Sequence, residues 1–285
     1  PECEPGQFTP VMHEATSLHP YIEFGNRLLA VVLVLLAVGA LWVVWRDTTS
    51  TRWLRFLAVV PLVGVLAQAV IGGMAVLVEL HPAVVGSHFL VSILLVVAST
   101  VLLLRHRDRS TSRSWTVRGR PRALVLALIP VSAVVLALGT VVTGAGPHSG
   151  DEDAPYRYAV DPLLMTRVHA LAVWLYLALL AVIWLELRRA VRAGDGTLAP
   201  GLSRTSALLV IALAQGGVGY LQHFLGLPEV LVGVHMLGAA LTAAVQSAQV
   251  VALRPADAGG GRAAGHPARA APPGRRSLRG RRAGP

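Results

Sequence analysis

The chain has 285 residues, of which 54% are hydrophobic and only 14% are charged. A soluble domain is typically about a quarter charged, so this composition excludes an ordinary soluble protein. The net charge of +10 comes from arginines that lie between and after long apolar runs. That distribution indicates membrane topology, not nucleic-acid binding. The single cysteine, Cys3, cannot form a disulfide within these residues. One cysteine is also too few for a zinc cluster or an iron–sulfur site.

Seven apolar stretches are each long enough to cross a bilayer, which takes roughly 20 helical residues. They are too long and continuous for the strands of a barrel. The sequence therefore predicts an all-α integral membrane fold. In chain order the predicted helices cover residues 21–45, 53–78, 83–104, 122–143, 164–187, 206–226 and 230–253.

The arginines predict how these helices are oriented. Of the 25 basic residues, 22 lie in alternate connections or in the C-terminal tail, on one side of the predicted membrane. By the positive-inside rule that side is cytoplasmic, and residues 1–20 lie outside a cell membrane that the chain crosses several times. The tail, 254–285, is rich in Ala, Gly, Pro and Arg, so we expect it to be disordered and able to contact anionic lipid.

An internal repeat relates two parts of the chain at an offset of 147 residues. The segments 68–88 and 215–235 share a glutamine and a histidine with the same spacing of 20 residues. The identical pairs are Gln68/Gln215, Gly72/Gly219, Leu80/Leu227, Val85/Val232, Gly86/Gly233 and His88/His235.

The repeat also predicts the domain organisation. It pairs the first three helices with the last three and leaves the fourth without a partner, so we expect an eighth helix upstream of residue 1 and two pseudosymmetric four-helix bundles. The predicted parts are an N-terminal half (1–104), a basic cytoplasmic linker (105–121), a C-terminal bundle (122–253) and the tail.

Eight of the ten histidines lie in outer loops or in the outer third of a helix. His88, His169 and His235 are placed at similar depth, roughly 10 Å below the outer mouth at 1.5 Å per residue. An ionisable side chain inside a bilayer is costly and usually functional, although a lone histidine can simply join two helices by a hydrogen bond. His169 and His235 belong to one bundle and are suitable axial ligands for a haem iron. Gly86 and Gly233 would let a planar ring approach the backbone.

The first half differs at the position equivalent to the second histidine ligand, which holds Asn26, a poor iron ligand. His88 would then stand alone, which suits a substrate site beside a permanent cofactor site. Glu23, about one turn away, could contact a bound ligand or position a water, or it could be an interfacial carboxylate paired with Arg27. Arg27 and Arg167 could bind haem propionates or extend to the membrane interface.

Taken together, these motifs resemble those of the haem A synthase family (CtaA/Cox15), which converts haem O to haem A for cytochrome oxidase. The resemblance covers about residues 1–253. It is carried by the segments 22–27 (IEFGNR), 68–88, 143–150 (TGAGPHSG) leading to His169, and 219–222 (GYLQ) leading to His235.

The resemblance implies an eight-helix oxidoreductase in which His169 and His235 ligate a haem b. His88 and Asn26 would flank the substrate haem O, whose C8 methyl is oxidised to a formyl group. Glu23 would match the family's catalytic glutamate. The family often has a histidine at the position of Asn26, and its bacterial members often have a cysteine pair in the first outer loop.

The same resemblance bears on the remaining candidates. His148 is a possible supporting residue, and Cys3 resembles the second cysteine of the family's pair, whose partner would lie upstream. The expected partners are haem O, a haem O synthase, an unidentified redox partner and membrane lipid, but no nucleic acid. The main alternative is a dihaem b-type cytochrome for electron transfer, which predicts two bis-histidine sites and is disfavoured by Asn26. A transporter would more often carry polar residues at mid-membrane.

Overall fold

The computed structural model describes residues 19–108, 115–147, 149 and 156–254, with only the backbone described for residues 19–23. Within these ranges the regular structure is entirely helical. The helices are α1 (His19–Arg46), α2 (Arg52–Leu77), α3 (Pro82–Asp108), α4 (Arg120–Ala145), α5 (Pro162–Arg192), α6 (Ala199–Phe224) and α7 (Glu229–Ala252), with a short 3₁₀ turn at Gly196–Leu198. The predicted features of Cys3, His148 and the tail beyond residue 254 lie outside the described residues.

All seven helices are long and apolar enough to cross a membrane. The side chains that they expose are largely apolar, including Leu35 on α1, which is 66% exposed, and Val210 on α6, which is 67% exposed. Such faces are stable in lipid, where no water is available to solvate them. The predicted all-α, multi-pass membrane fold is therefore confirmed.

Several helices extend further than hydropathy predicted, and the largest extensions are those of α6 and α5. α6 begins at Ala199 and not at 206, and α5 continues to Arg192 and not to 187. Hydropathy marks only the part of a helix that lies in hydrocarbon, whereas the polar turns beyond it still form backbone hydrogen bonds. Pro200 suits the first turn of α6, and Arg189 and Arg192 favour the last turn of α5 by complementing the helix dipole.

The internal repeat extends to the backbone of two turns. Glu79 and Leu80, between α2 and α3, have φ angles of 52° and 55°, and Gly226 and Leu227, between α6 and α7, have φ angles of 76° and 62°. The amides of Leu80 and Leu227 each donate to the carbonyl five residues earlier, at 2.8 and 2.7 Å. Both helical hairpins therefore close with the same left-handed turn, 147 residues apart.

Packing divides the helices into two groups. α1 packs on α2 and α2 on α3, whereas α4, α5, α6 and α7 each pack on the next, and α3 joins the groups by contacting α4 and α7. The second group encloses the larger core, in which Leu128, Leu180 and Ile183 are completely buried. Sequential neighbours pack because short connections force antiparallel hairpins. This arrangement places the histidine-bearing ends of α3, α5 and α7 at one end of the molecule.

Candidate functional site

His88 and His235 pack in equivalent ways in the two halves. Each ring lies in what we call a glycine seat, the space beside a glycine of a neighbouring helix. A β-carbon built on Gly72 of α2 would lie 3.5 Å from Cε1 of His88, and one built on Gly219 of α6 would lie 3.5 Å from Cε1 of His235. Each ring therefore rests against a glycine of the preceding helix. Since glycine carries no side chain, the imidazole can approach the neighbouring backbone closely.

His169 has a similar seat on a different neighbour. A β-carbon on Gly139 of α4 would lie 3.4 Å from Cε1 of His169, and the backbone of Val135 on the same helix also interacts with the ring. His169 and His235 lie close enough to interact electrostatically. The structure thus brings together the two histidines that the sequence assigned to one bundle.

The three histidines share one feature. Nδ1 of His88, His169 and His235 is buried and has no hydrogen-bond partner in the described structure. An imidazole that ligates haem iron commonly uses one nitrogen for the metal while the other faces the protein. The residues present therefore fit a haem held by His169 and His235 in the second half, and His88 is the corresponding histidine of the first half.

A glutamine lies beside each member of the repeated histidine pair. Nε2 of Gln68 donates to the carbonyl of His88 at 2.8 Å and also to Oγ of Ser92. Gln215 instead lies over Gly238, where a β-carbon would overlap its amide. Gln68 thus contacts α3 through hydrogen bonds, whereas Gln215 contacts α7 through close packing.

The remaining residues of the predicted first-half site lie on α1. Asn26 and Arg27 are both exposed, and Arg27 makes contacts of its own. Glu23 lies on the α1 backbone about one turn before Asn26, and its side chain is outside the described part. Arg167, two residues before His169, is exposed as well. The roles that the sequence assigns to these residues therefore stay predictions.

The two glycines expected to admit a planar ring differ in their surroundings. A β-carbon on Gly233 would meet nothing within 4 Å, whereas one on Gly86 would lie 3.3 Å from Cβ of Thr140. Gly86 thus serves the contact between α3 and α4, and only Gly233 faces open space. Spacing along the chain could not predict this difference, because both glycines precede their histidine by two residues.

Sequence reasoning missed Gly139 and Ser92. Gly139 lies outside the repeated segments, so its role under the His169 ring had no counterpart to indicate it. Ser92 is one turn beyond His88, where its hydroxyl donates to the carbonyl of His88 at 2.9 Å and accepts from Nε2 of Gln68. Among the described residues, no three His, Cys, Asp or Glu side chains gather into a site for a bare metal ion. The histidines are arranged as one pair and one single residue.

Comparison with known proteins identifies the family of this chain. The family model described as "Cytochrome oxidase assembly protein" (COX15-CtaA) matches residues 7–149, half of the chain. Heme A synthases of Listeria monocytogenes and Listeria innocua are each 30% identical over 96 residues, which cover 33% of this chain and 32% of the relative. The chain thus matches about a third of the length of these relatives. No solved structure matches it. By its family match, this chain belongs to the COX15-CtaA family of cytochrome oxidase assembly proteins.

Proposed function

We propose that the protein is a haem A synthase, an oxidoreductase that converts the C8 methyl group of haem O to the formyl group of haem A. In this proposal His169 and His235 hold a resident haem b between α5 and α7. Haem O binds in the first half, with His88 on one face and Asn26 toward the other. Two curated relatives are named heme A synthases, which supports the assignment.

One difference between the two halves carries the proposal. The glycine seats of His88 and His235 are alike, but the candidate iron ligands around them differ. His88 and His235 rest against equivalent glycines, yet among the side chains that the structure describes only His235 has a second histidine, His169, close by. A permanent cofactor benefits from two strong ligands, whereas a substrate must enter and leave. The asymmetry therefore favours one resident haem and one exchangeable haem over the two permanent haems of an electron-transfer cytochrome.

The chain's own residues have separate tasks in this reaction. His88 orients the substrate against α2, and Glu23 on α1 accepts a proton or positions a water near the reacting methyl group. Arg27 and Arg167 bind propionates from the outer boundary. When bound, haem b supplies one-electron redox chemistry. If water provides the oxygen, methyl-to-formyl conversion releases four electrons and four protons, so an external redox partner must accept the electrons.

The location follows from the arginine distribution. We propose that the chain lies in the cell membrane with its tail in the cytoplasm and its histidines toward the outer face. A haem O synthase in the same membrane would supply the substrate directly from the lipid phase, because haem O is too apolar to diffuse freely through water. His148 would support the site from the outer loop between α4 and α5.

The test is to identify the pigments of the full-length chain expressed with and without a haem O supply. Each haem would be extracted and assigned by mass and by its pyridine haemochrome spectrum. The proposal predicts haem b in both preparations, and haem O with its hydroxylated or formyl product only when haem O is supplied.

Matched variants separate the two sites. His169→Ala should remove haem b and leave haem O binding, whereas His88→Ala should do the reverse. His223→Ala is the control, because it removes an exposed histidine of α6. In the described structure, the aromatic ring that His223 contacts is that of Phe224. Two equivalents of haem b per chain, unchanged by haem O, would overturn the synthase assignment in favour of a dihaem cytochrome.

A further inference from the structure

A small polar cavity lies at the end of the first half that is remote from the histidines. It has a volume of about 20 Å³ and is bounded by the α1–α2 connection and the end of α3, including Ser50, Thr51 and Arg105. Arg105 follows His88 by 17 residues on α3, which corresponds to about 26 Å at 1.5 Å per residue. The cavity is therefore separate from the proposed haem sites, and what it binds does not depend on the proposed function.

The guanidinium of Arg105 is a buried charge at this cavity, and one of its nitrogens has no hydrogen-bond partner in the described structure. The residue is only 9% exposed, and its Nη1 is buried with no hydrogen-bond acceptor in the described structure. The positive charge of Arg254, at the end of α7, is near enough to repel it, and the exposed carboxylate of Asp108 attracts it less strongly. A buried guanidinium is costly unless it is paired and hydrogen-bonded, so these surroundings favour an anion beside Arg105.

The start of α2 adds donors at the same place. Thr51 caps this helix by accepting the amide of Leu54 at 3.2 Å, and the preceding residue, Ser50, has a buried hydroxyl without a partner in the described part of the chain. The positive end of a helix dipole favours an anion, and a serine hydroxyl can donate to one.

The nearby carboxylate is engaged elsewhere. Oδ1 of Asp47 accepts the amide of Thr49 at 2.9 Å and its hydroxyl at 2.6 Å. Oδ2 of Asp47 lies 3.8 Å from Nδ1 of His106. Asp47, which also bounds the cavity, thus shapes the α1–α2 connection through its bonds to Thr49, while Nη1 of Arg105 is left without an acceptor in the described structure.

We propose that this cavity binds a phosphate group, with Arg105 as its principal ligand, Ser50 as a further donor and the first turn of α2 as the source of a favourable dipole. A guanidinium matches phosphate oxygens in a planar, bidentate geometry. Basic pockets between membrane helices are typical sites for the phosphate of an anionic lipid. The same chemistry would accept inorganic phosphate, so the experiment must separate these two sources.

The experiment measures binding to the purified full-length chain in a non-ionic detergent. One arm titrates short-chain phosphatidylglycerol and the other inorganic phosphate, each against chloride at matched ionic strength, with saturable stabilisation against heat as the readout. Arg105→Gln should weaken the binding of the effective ligand at least about ten-fold, the loss expected for a charge-assisted hydrogen bond. Ser50→Ala should weaken it about three-fold.

Arg107→Gln is the matched control, because it removes the same charge from an exposed position two residues along α3. Without ligand, Arg105→Gln should be at least as stable as the parent chain, since it removes a buried charge that repels Arg254. If that variant fails to fold, Ser50→Ala still tests the site. Saturation by lipid alone assigns the site to a headgroup, and saturation by phosphate assigns it to a soluble anion. No saturation in either arm, or equal weakening by Arg105→Gln and Arg107→Gln, overturns the proposal.

Discussion

The part of the chain from residue 115 onward encloses a continuous core of twelve buried described residues, whereas the buried cluster of α1, α2 and α3 has four in the described part. The difference follows from the helix neighbours. α5 packs between α4 and α6, but its counterpart α1 packs chiefly on α2. Both halves nevertheless retain a histidine against a glycine at the same place in the repeat. The seat of the histidine therefore depends on the local helical hairpin and not on how complete the surrounding core is.

The largest expected effect tests the difference in core packing. Leu180 is completely buried on α5, whereas Leu35 on α1 is 66% exposed. Leu180→Ala should destabilise the protein by about 3 kcal/mol, because it leaves a cavity that its neighbours cannot fill. Leu35→Ala should change stability by less than about 0.5 kcal/mol. Denaturant titration in detergent measures both, and equal losses would contradict the assigned packing.

The next prediction removes the difference in histidine ligands. Asn26→His gives the first half a second histidine, so haem bound there should dissociate at least about ten-fold more slowly, equivalent to 1.4 kcal/mol. The rate of transfer to a haem-scavenging globin measures this. The control is Leu28→His, which introduces histidine at an exposed position nearby. An unchanged rate in Asn26→His would show that Asn26 does not face the bound haem.

A third prediction tests the glycine seat itself. In Gly219→Val the added methyl groups extend past the β-carbon position, which is 3.5 Å from His235, and should displace the ring. We expect haem b affinity to fall about five-fold, equivalent to about 1 kcal/mol. Gly217→Val is the control on the same helix, since a β-carbon there meets nothing within 4 Å. The absorbance of bound haem b reports the loss, and an equal loss in both variants would attribute it to helix propensity alone.

The smallest expected effect compares the two left-handed turns. Glu79 adopts a φ of 52°, where the equivalent residue is Gly226. Glu79→Gly should stabilise the first half by roughly 0.5 kcal/mol, because relief of left-handed strain exceeds the added freedom of the unfolded chain. Gly226→Glu should destabilise the second hairpin by a similar amount. Thermal unfolding measures both, and a destabilised Glu79→Gly would show that the glutamate side chain makes a compensating contact.

Much of the fold could be predicted from sequence because the bilayer restricts the options. A long apolar run must become a helix to satisfy its backbone in lipid, and the seven runs did so. The ends of α5 and α6 were predicted less well, since hydropathy does not record the polar turns that continue outside the hydrocarbon. That His169 and His235 lie close enough to interact could also be anticipated, because the repeat and the similar depth place both on one bundle.

The sequence by itself determined the membrane-spanning helical architecture, the repeat and the three histidines, His88, His169 and His235, that lie within the helices near one end of the molecule. Only the tertiary structure showed that Gly139 lies beneath His169, that Gly86 contacts Thr140 while Gly233 faces open space, and that Arg105 is buried beside the start of α2. The physical reason is that periodicity and spacing define the position of a residue along its own helix. Which neighbour it meets depends on the rotation and tilt of two helices, and side-chain packing sets these across the whole bundle.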